Sequence, residues 1–147
     1  MFWIKLGLVS HALAAGALTG AVTHFALVLR HAARGRPYPR LQRLYPAVAL
    51  ACFGVVYVLG SVIYPTYRVD VRAAWLDDHS PAMSVLFDLK ENLATLLAPL
   101  LATMAVLART EDPAKPSRVL RWASFAVLIG VWFDLVVGLL VVSTRSV

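Results

Sequence analysis

Four long runs of apolar residues, separated by clusters of charge and proline, organise this chain; they cover residues 6–29, 45–64, 84–108 and 119–143. A hydrocarbon core about 30 Å thick needs roughly 20 apolar residues wound as a helix, so each run predicts a membrane span. The expected architecture is an all-α integral membrane protein, one domain over residues 1–147, with four transmembrane helices in an antiparallel bundle. The first run follows Lys5 and contains Ala12, Ala14 and Ala15, features that a secretory signal shares. Its length exceeds the roughly 7–15 apolar residues of a signal, and it reads as a retained span.

The connections give an orientation. Residues 30–43 hold five arginines and no acid, and the third connection carries Arg109, Lys115, Arg118 and Arg121. These nine basic residues stand against four on the other side, Lys5, Arg68, Arg72 and Arg145. By the positive-inside rule the first and third connections face the cytoplasm, and both termini face outward. Phe2, Trp3, Tyr64, Tyr67 and Trp75 then mark the outer interface; Tyr38, Tyr45 and Trp122 mark the inner one. Pro46 falls in the first turn of its span, where a missing N–H costs little. Pro99 falls inside the third span and predicts a kink.

Composition supports this reading and excludes others. The chain is 60% apolar and 15% charged, with a net charge of +6, against about 45–50% and about 25% in soluble domains. Too little chain remains outside the spans for a soluble catalytic domain, and a nucleic-acid partner is not expected. Cys52 stands alone, so no internal disulfide forms. No histidine pair at metal spacing, CxxC, phosphate loop or serine-hydrolase motif is present. The natural setting is the inner (plasma) membrane, and the bilayer is the first partner.

Helix association in lipid depends on close packing and polar contacts. Ala12, Gly16, Gly20 and His24 form a small-residue ridge at four-residue spacing on the first span. We expect the ridge to pack within the bundle; a homo-oligomer seam is the alternative.

Ionisable side chains within a span are costly and mark candidate sites. Here they are His11, His24, Asp88, Lys90, Glu91 and Asp134. At about 100° per residue, Asp88, Glu91, Asn92, Thr95 and Pro99 share one stripe, and Lys90 projects from nearly the opposite face. The acidic stripe is expected to point into the bundle. Lys90 is expected to snorkel outward or to reach another neighbour, such as Asp134. Arg68 or Arg72, in the outer loop, is placed to neutralise the acids. His11 and His24, 13 positions apart, cannot ligate one planar cofactor together, but either can serve as an axial ligand to a metal.

The order of these features resembles a known family. Trp3-Ile4-Lys5 leads into a first helix with a histidine, and a basic stretch precedes the second helix. Phe87-Asp88-Leu89-Lys90 opens the third, and Arg118 with Arg121-Trp122 opens the last. This layout resembles the small helical membrane proteins that include the J-type protoporphyrinogen oxidase and the copper-resistance D-type domains. The resemblance implies haem b as cofactor, with a first-helix histidine and a third-helix lysine as the functional pair. The matching lysine is Lys90 and the nearest histidine His11; the family places its histidine one turn earlier, where Leu8 stands.

Three functions compete at this point. One is a haem- or tetrapyrrole-binding redox protein, with His11 as axial ligand, Lys90 as catalytic residue and Arg68 near carboxylates. Another is an accessory or assembly subunit of a larger membrane complex. The third is a small proton- or cation-coupled carrier that uses Asp88, Glu91 and Asp134.

Overall fold

The structure is a computed structural model and describes residues 2–144; Arg145, counted above for orientation, lies outside the described residues. Among those residues the fold is all-α, with four helices long and apolar enough to cross a membrane. They are α1 (Phe2–Ala33), α2 (Pro39–Thr66), α4 (Pro81–Thr110) and α5 (Arg118–Thr144). Between α2 and α4 lie a π-helical segment (Tyr67–Leu76) and the short turn α3 (Asp77–His79). No more than 39% of the apolar window of any of the four helices is buried within the protein. Lipid must cover the rest, because so much bare apolar surface is not sustained in water.

The helices form a ring. The backbones of α1 and α2, α2 and α4, α4 and α5, and α5 and α1 approach one another, and among the described residues no diagonal pair of backbones does. Tight connections on one end produce this order. After α1, Gly35 adopts φ 75°, the amide of Gly35 donates to the Ala32 carbonyl at 3.0 Å, and that of Arg36 donates to His31 at 3.0 Å. This pairing is the Schellman arrangement that ends helices on glycine. Pro39 then starts α2 with its ring in the first turn. On the same end of the bundle, Ser117 caps α5: its hydroxyl accepts from the Leu120 amide at 3.1 Å and donates to Glu111 at 2.6 Å.

The second connection departs from the loop expected there. Helix α2 continues past Pro65 into the π-helical segment, and the Asp77 amide donates to the Arg72 carbonyl, five residues back. Pro65 lacks the N–H that would hold the α register and its ring presses on the preceding turn. The wider winding starts two residues later. Its buried side chains, Tyr67, Val71 and Leu76, follow spacings of four and five, which suits an i→i+5 winding. Helix α4 runs through Pro99 as one helix.

Two apolar clusters fill the interior. The larger, toward the basic end, gathers Val22 and Phe25 of α1, Phe53 of α2, Leu97, Leu101 and Met104 of α4, and Val127 and Val131 of α5. Cys52 packs beside it as a free thiol. The smaller joins Ile63, Tyr67, Val71, Leu76, Phe87, Val137 and Val141. Helices α1 and α5 are also joined by the Trp132 indole N–H, which donates to Thr23 Oγ1 at 3.1 Å.

The glycines divide in a way the sequence reading did not foresee. A Cβ at Gly16 or Gly20 would meet nothing within 4 Å, so the two glycines of the small-residue ridge make no close approach to a neighbouring helix. The close approach is instead at Gly130, where a Cβ would lie 2.7 Å from Cδ2 of the buried Leu97. Gly130→Ala is therefore expected to lose about 1–3 kcal/mol through overpacking, whereas Gly16→Ala leaves the monomer's stability unchanged or slightly raised. Thermal unfolding in detergent, followed by circular dichroism, checks both; equal melting of Gly130→Ala and the parent chain would contradict the α4–α5 contact.

Candidate functional site

The core stripe of α4 runs through Phe87, Leu97, Leu101, Met104 and Ala108. At about 100° per residue, Lys90 falls at the middle of this stripe. Its side chain is half-buried and passes Gly138 of α5, where an added Cβ would lie 3.5 Å from Lys90 Cε. Asp134 occupies the matching position on α5, between Val131 of one cluster and Val137 of the other. His11 does so on α1, between Leu8 and Leu18. The His11 ring rests on Gly60 of α2, where a Cβ would approach Cε1 to 3.2 Å, and it faces the Val56 carbonyl. Lys90 lies within electrostatic reach of both His11 and Asp134.

These three side chains form a polar layer between two apolar clusters. His11 Nδ1 and Asp134 Oδ1 are buried with no hydrogen-bond partner among the described residues. A buried polar atom left unpaired costs about 1–3 kcal/mol, and an ionisable one within a span marks a functional site by default.

A second group of charges binds together the rim of the bundle at the end opposite the basic connections. The Arg72 guanidinium donates to both carboxylate oxygens of Asp88, at 2.7 Å to Oδ2, and its Nε lies 3.6 Å from Asp77. Asp77 in turn accepts from the Ser84 hydroxyl. Phe87 stacks on Tyr64 and on Tyr67, with ring centroids 6.5 and 5.7 Å apart. Arg68 is exposed; it donates to the Tyr64 hydroxyl and sits 5.7 Å from the centre of that ring. Glu91 connects the rim to the layer, because it faces the Tyr64 hydroxyl and feels the charges of Arg68, Asp88 and Lys90.

The acidic stripe expected to point inward thus divides between two environments. Asp88 and Glu91 flank the α2 side, while Asn92, Thr95 and Pro99 are exposed. Lys90, expected to stand apart from the bundle interior or to reach Asp134, points to the interior and toward Asp134. His24 is exposed, places Nδ1 2.7 Å from the Gly20 carbonyl oxygen and stacks on Tyr45. It does not join His11, and among the described residues no three of His, Cys, Asp and Glu gather as a metal group.

One residue escaped the sequence reading. Gln42 is 0% exposed, and both of its amide atoms lack a hydrogen-bond partner among the described residues. Its placement among basic residues before Tyr45 suggested a connection; in the structure α2 has already begun, and the turn of the helix carries Gln42 inward. The signal available was its spacing of four and seven from Pro46 and Ala49, both buried on the same face.

No protein-family model matches the chain, and no curated protein or solved structure matches it either. The functional reading therefore rests on the geometry.

The rim contacts make a direct prediction. Arg72→Gln and Asp88→Asn should each cost about 1 kcal/mol, since the pair is charge-assisted but partly exposed. The double variant should cost scarcely more than either single change. Reversible unfolding of the three variants in detergent tests this; strictly additive losses would show that the pair is not coupled.

Proposed function

We propose that this chain is a multi-pass inner-membrane protein that exchanges protons through the His11–Lys90–Asp134 layer. The charge asymmetry of the connections supports a topology with both termini outward and the layer in the outer half of the bilayer. One observation carries the reading: buried, unpartnered atoms of an imidazole and a carboxylate flank a half-buried ammonium. Charge is expensive in hydrocarbon, so the layer favours electrically neutral states. Two are available. In one, cationic Lys90 balances anionic Asp134; in the other, the amine and the carboxyl are both uncharged. A proton taken up by Asp134 is therefore matched by one released from Lys90, which His11 beside it passes on without keeping it. Glu91 and Tyr64 provide the route to the outer rim.

Proton flux into vesicles carrying an internal pH dye, under an imposed gradient, tests this function. Asp134→Asn and Lys90→Met should abolish protein-dependent flux, and His11→Gln should slow it by about a hundredfold, the usual worth of a positioned acid–base group. Flux unaffected by Asp134→Asn and Lys90→Met would end the proposal.

A second reading draws on the same layer. The juxtaposition of His11 with Lys90 supports a tetrapyrrole-binding redox role, in line with the family resemblance. The residues fit such a group in one respect only: His11 has a ring nitrogen without a hydrogen-bond partner that could hold it, while Gly60 is covered by the His11 ring and Gly138 by the Lys90 stem. In that role Lys90 would meet a carboxylate, and haem b would supply one-electron chemistry when bound. Arg68, exposed beside Tyr64, would stand at the rim in that role. An absorption spectrum of protein expressed with ample haem separates the readings: a Soret band lost in His11→Ala supports the cofactor, and its absence from the parent chain removes it.

A further inference from the structure

A groove of about 210 Å³ lies between α1 and α5 at the basic end of the bundle, the end opposite the rim. Its walls are apolar, from Ala26, Leu29 and Ala33 of α1 and Phe125 and Leu128 of α5. Arg30 and Arg121 also line it, one from each helix, together with the buried Ser124. Both arginines are exposed.

Neither guanidinium has a carboxylate partner among the described residues. The acids of the adjoining connection are already engaged: Glu111 accepts from the Ser117 amide at 2.8 Å, and Asp112 accepts from the Ala114 amide at 2.9 Å. Arg121 also sits in the first turn of α5, where the helix dipole adds positive potential. Next to it Trp122, 70% exposed, stands edge-on to Phe125 with centroids 6.1 Å apart. An exposed tryptophan at a helix end lies at the headgroup level of a bilayer.

We infer that this groove binds one anionic phospholipid, its phosphate between Arg30 and Arg121 and an acyl chain along the apolar wall. An apolar trough ending in two unpaired cations complements a molecule with a long apolar tail ending in an anion. A water-soluble anion would leave the trough bare, and a zwitterionic lipid would bring its own cation to the two arginines. Basic pockets between membrane helices on the cytoplasmic side are an established setting for acidic headgroups. The arginine-rich connection of residues 34–43 attracts the same leaflet diffusely and provides no trough.

The full chain in detergent, titrated with phosphatidylglycerol or phosphatidylcholine and read by native mass spectrometry, tests the inference. The parent chain should retain one phosphatidylglycerol in preference to phosphatidylcholine. Arg30→Gln and Arg121→Gln should each weaken retention by about fivefold, while Arg40→Gln with Arg43→Gln, in the connection, should leave it unchanged. Ala26→Trp, which narrows the trough and keeps the charge, should also reduce retention. Equal retention of the two lipids, equal loss in the connection variant, or displacement by millimolar inorganic phosphate would each overturn the site.

Discussion

The hydrocarbon of a bilayer gives a polypeptide nothing to hydrogen-bond with, and the rest of this structure depends on that deprivation. Backbone groups must satisfy one another, so the segments in contact with lipid are helices. With the main chain fully occupied, the interior is decided by side chains alone. Apolar ones supply most of it, in two clusters. Among the polar ones that enter, His11, Lys90 and Asp134 do so at one level, where the ammonium of Lys90 lessens the electrostatic cost of the Asp134 carboxylate. Their convergence from three helices is a product of that shared cost.

Much of this was legible in the residues. The four spans follow from apolar length. The basic end is evident from the arginines. The face of α4 that meets its neighbours differs from its acidic stripe for a physical reason. The cluster Asp88, Glu91 and Asn92 drew attention as a chemical stripe, while the packing face is set by Phe87, Leu97, Leu101 and Met104, the stripe with the most apolar area to bury. Lys90 lies on that second stripe and was carried inward by it. The same rule would have placed His11 with Leu18, Val22 and Phe25, and Asp134 with Val127 and Val131. The small-residue ridge misled in the opposite direction: permission for close approach at Gly16 and Gly20 is not a reason for it, and α1 uses another face.

The segment between α2 and α4 was the least legible part. Nothing in the residues 67–76 announces an i→i+5 winding, because it arises from competition between Pro65, which disturbs the α register, and the buried contacts of Tyr67, Val71 and Leu76. The rim of salt bridges and stacked rings secures the outcome. It brings Arg72 to Asp88 and keeps Tyr64 beside Phe87, so the wide helix acts as a brace above the polar layer.

The ring order has a consequence for how this protein can vary. Because no diagonal pair of helices meets backbone to backbone, side chains alone fill the middle of the bundle, and the charges there are balanced by one another and by Glu91. Exchanging any one of the three changes the electrostatic problem that the other two must solve, even when shape is kept. The layer is thus a single unit of substitution, in which a neutral replacement at one position favours a compensating change at a second. The lipid-facing residues around it are free to drift one by one.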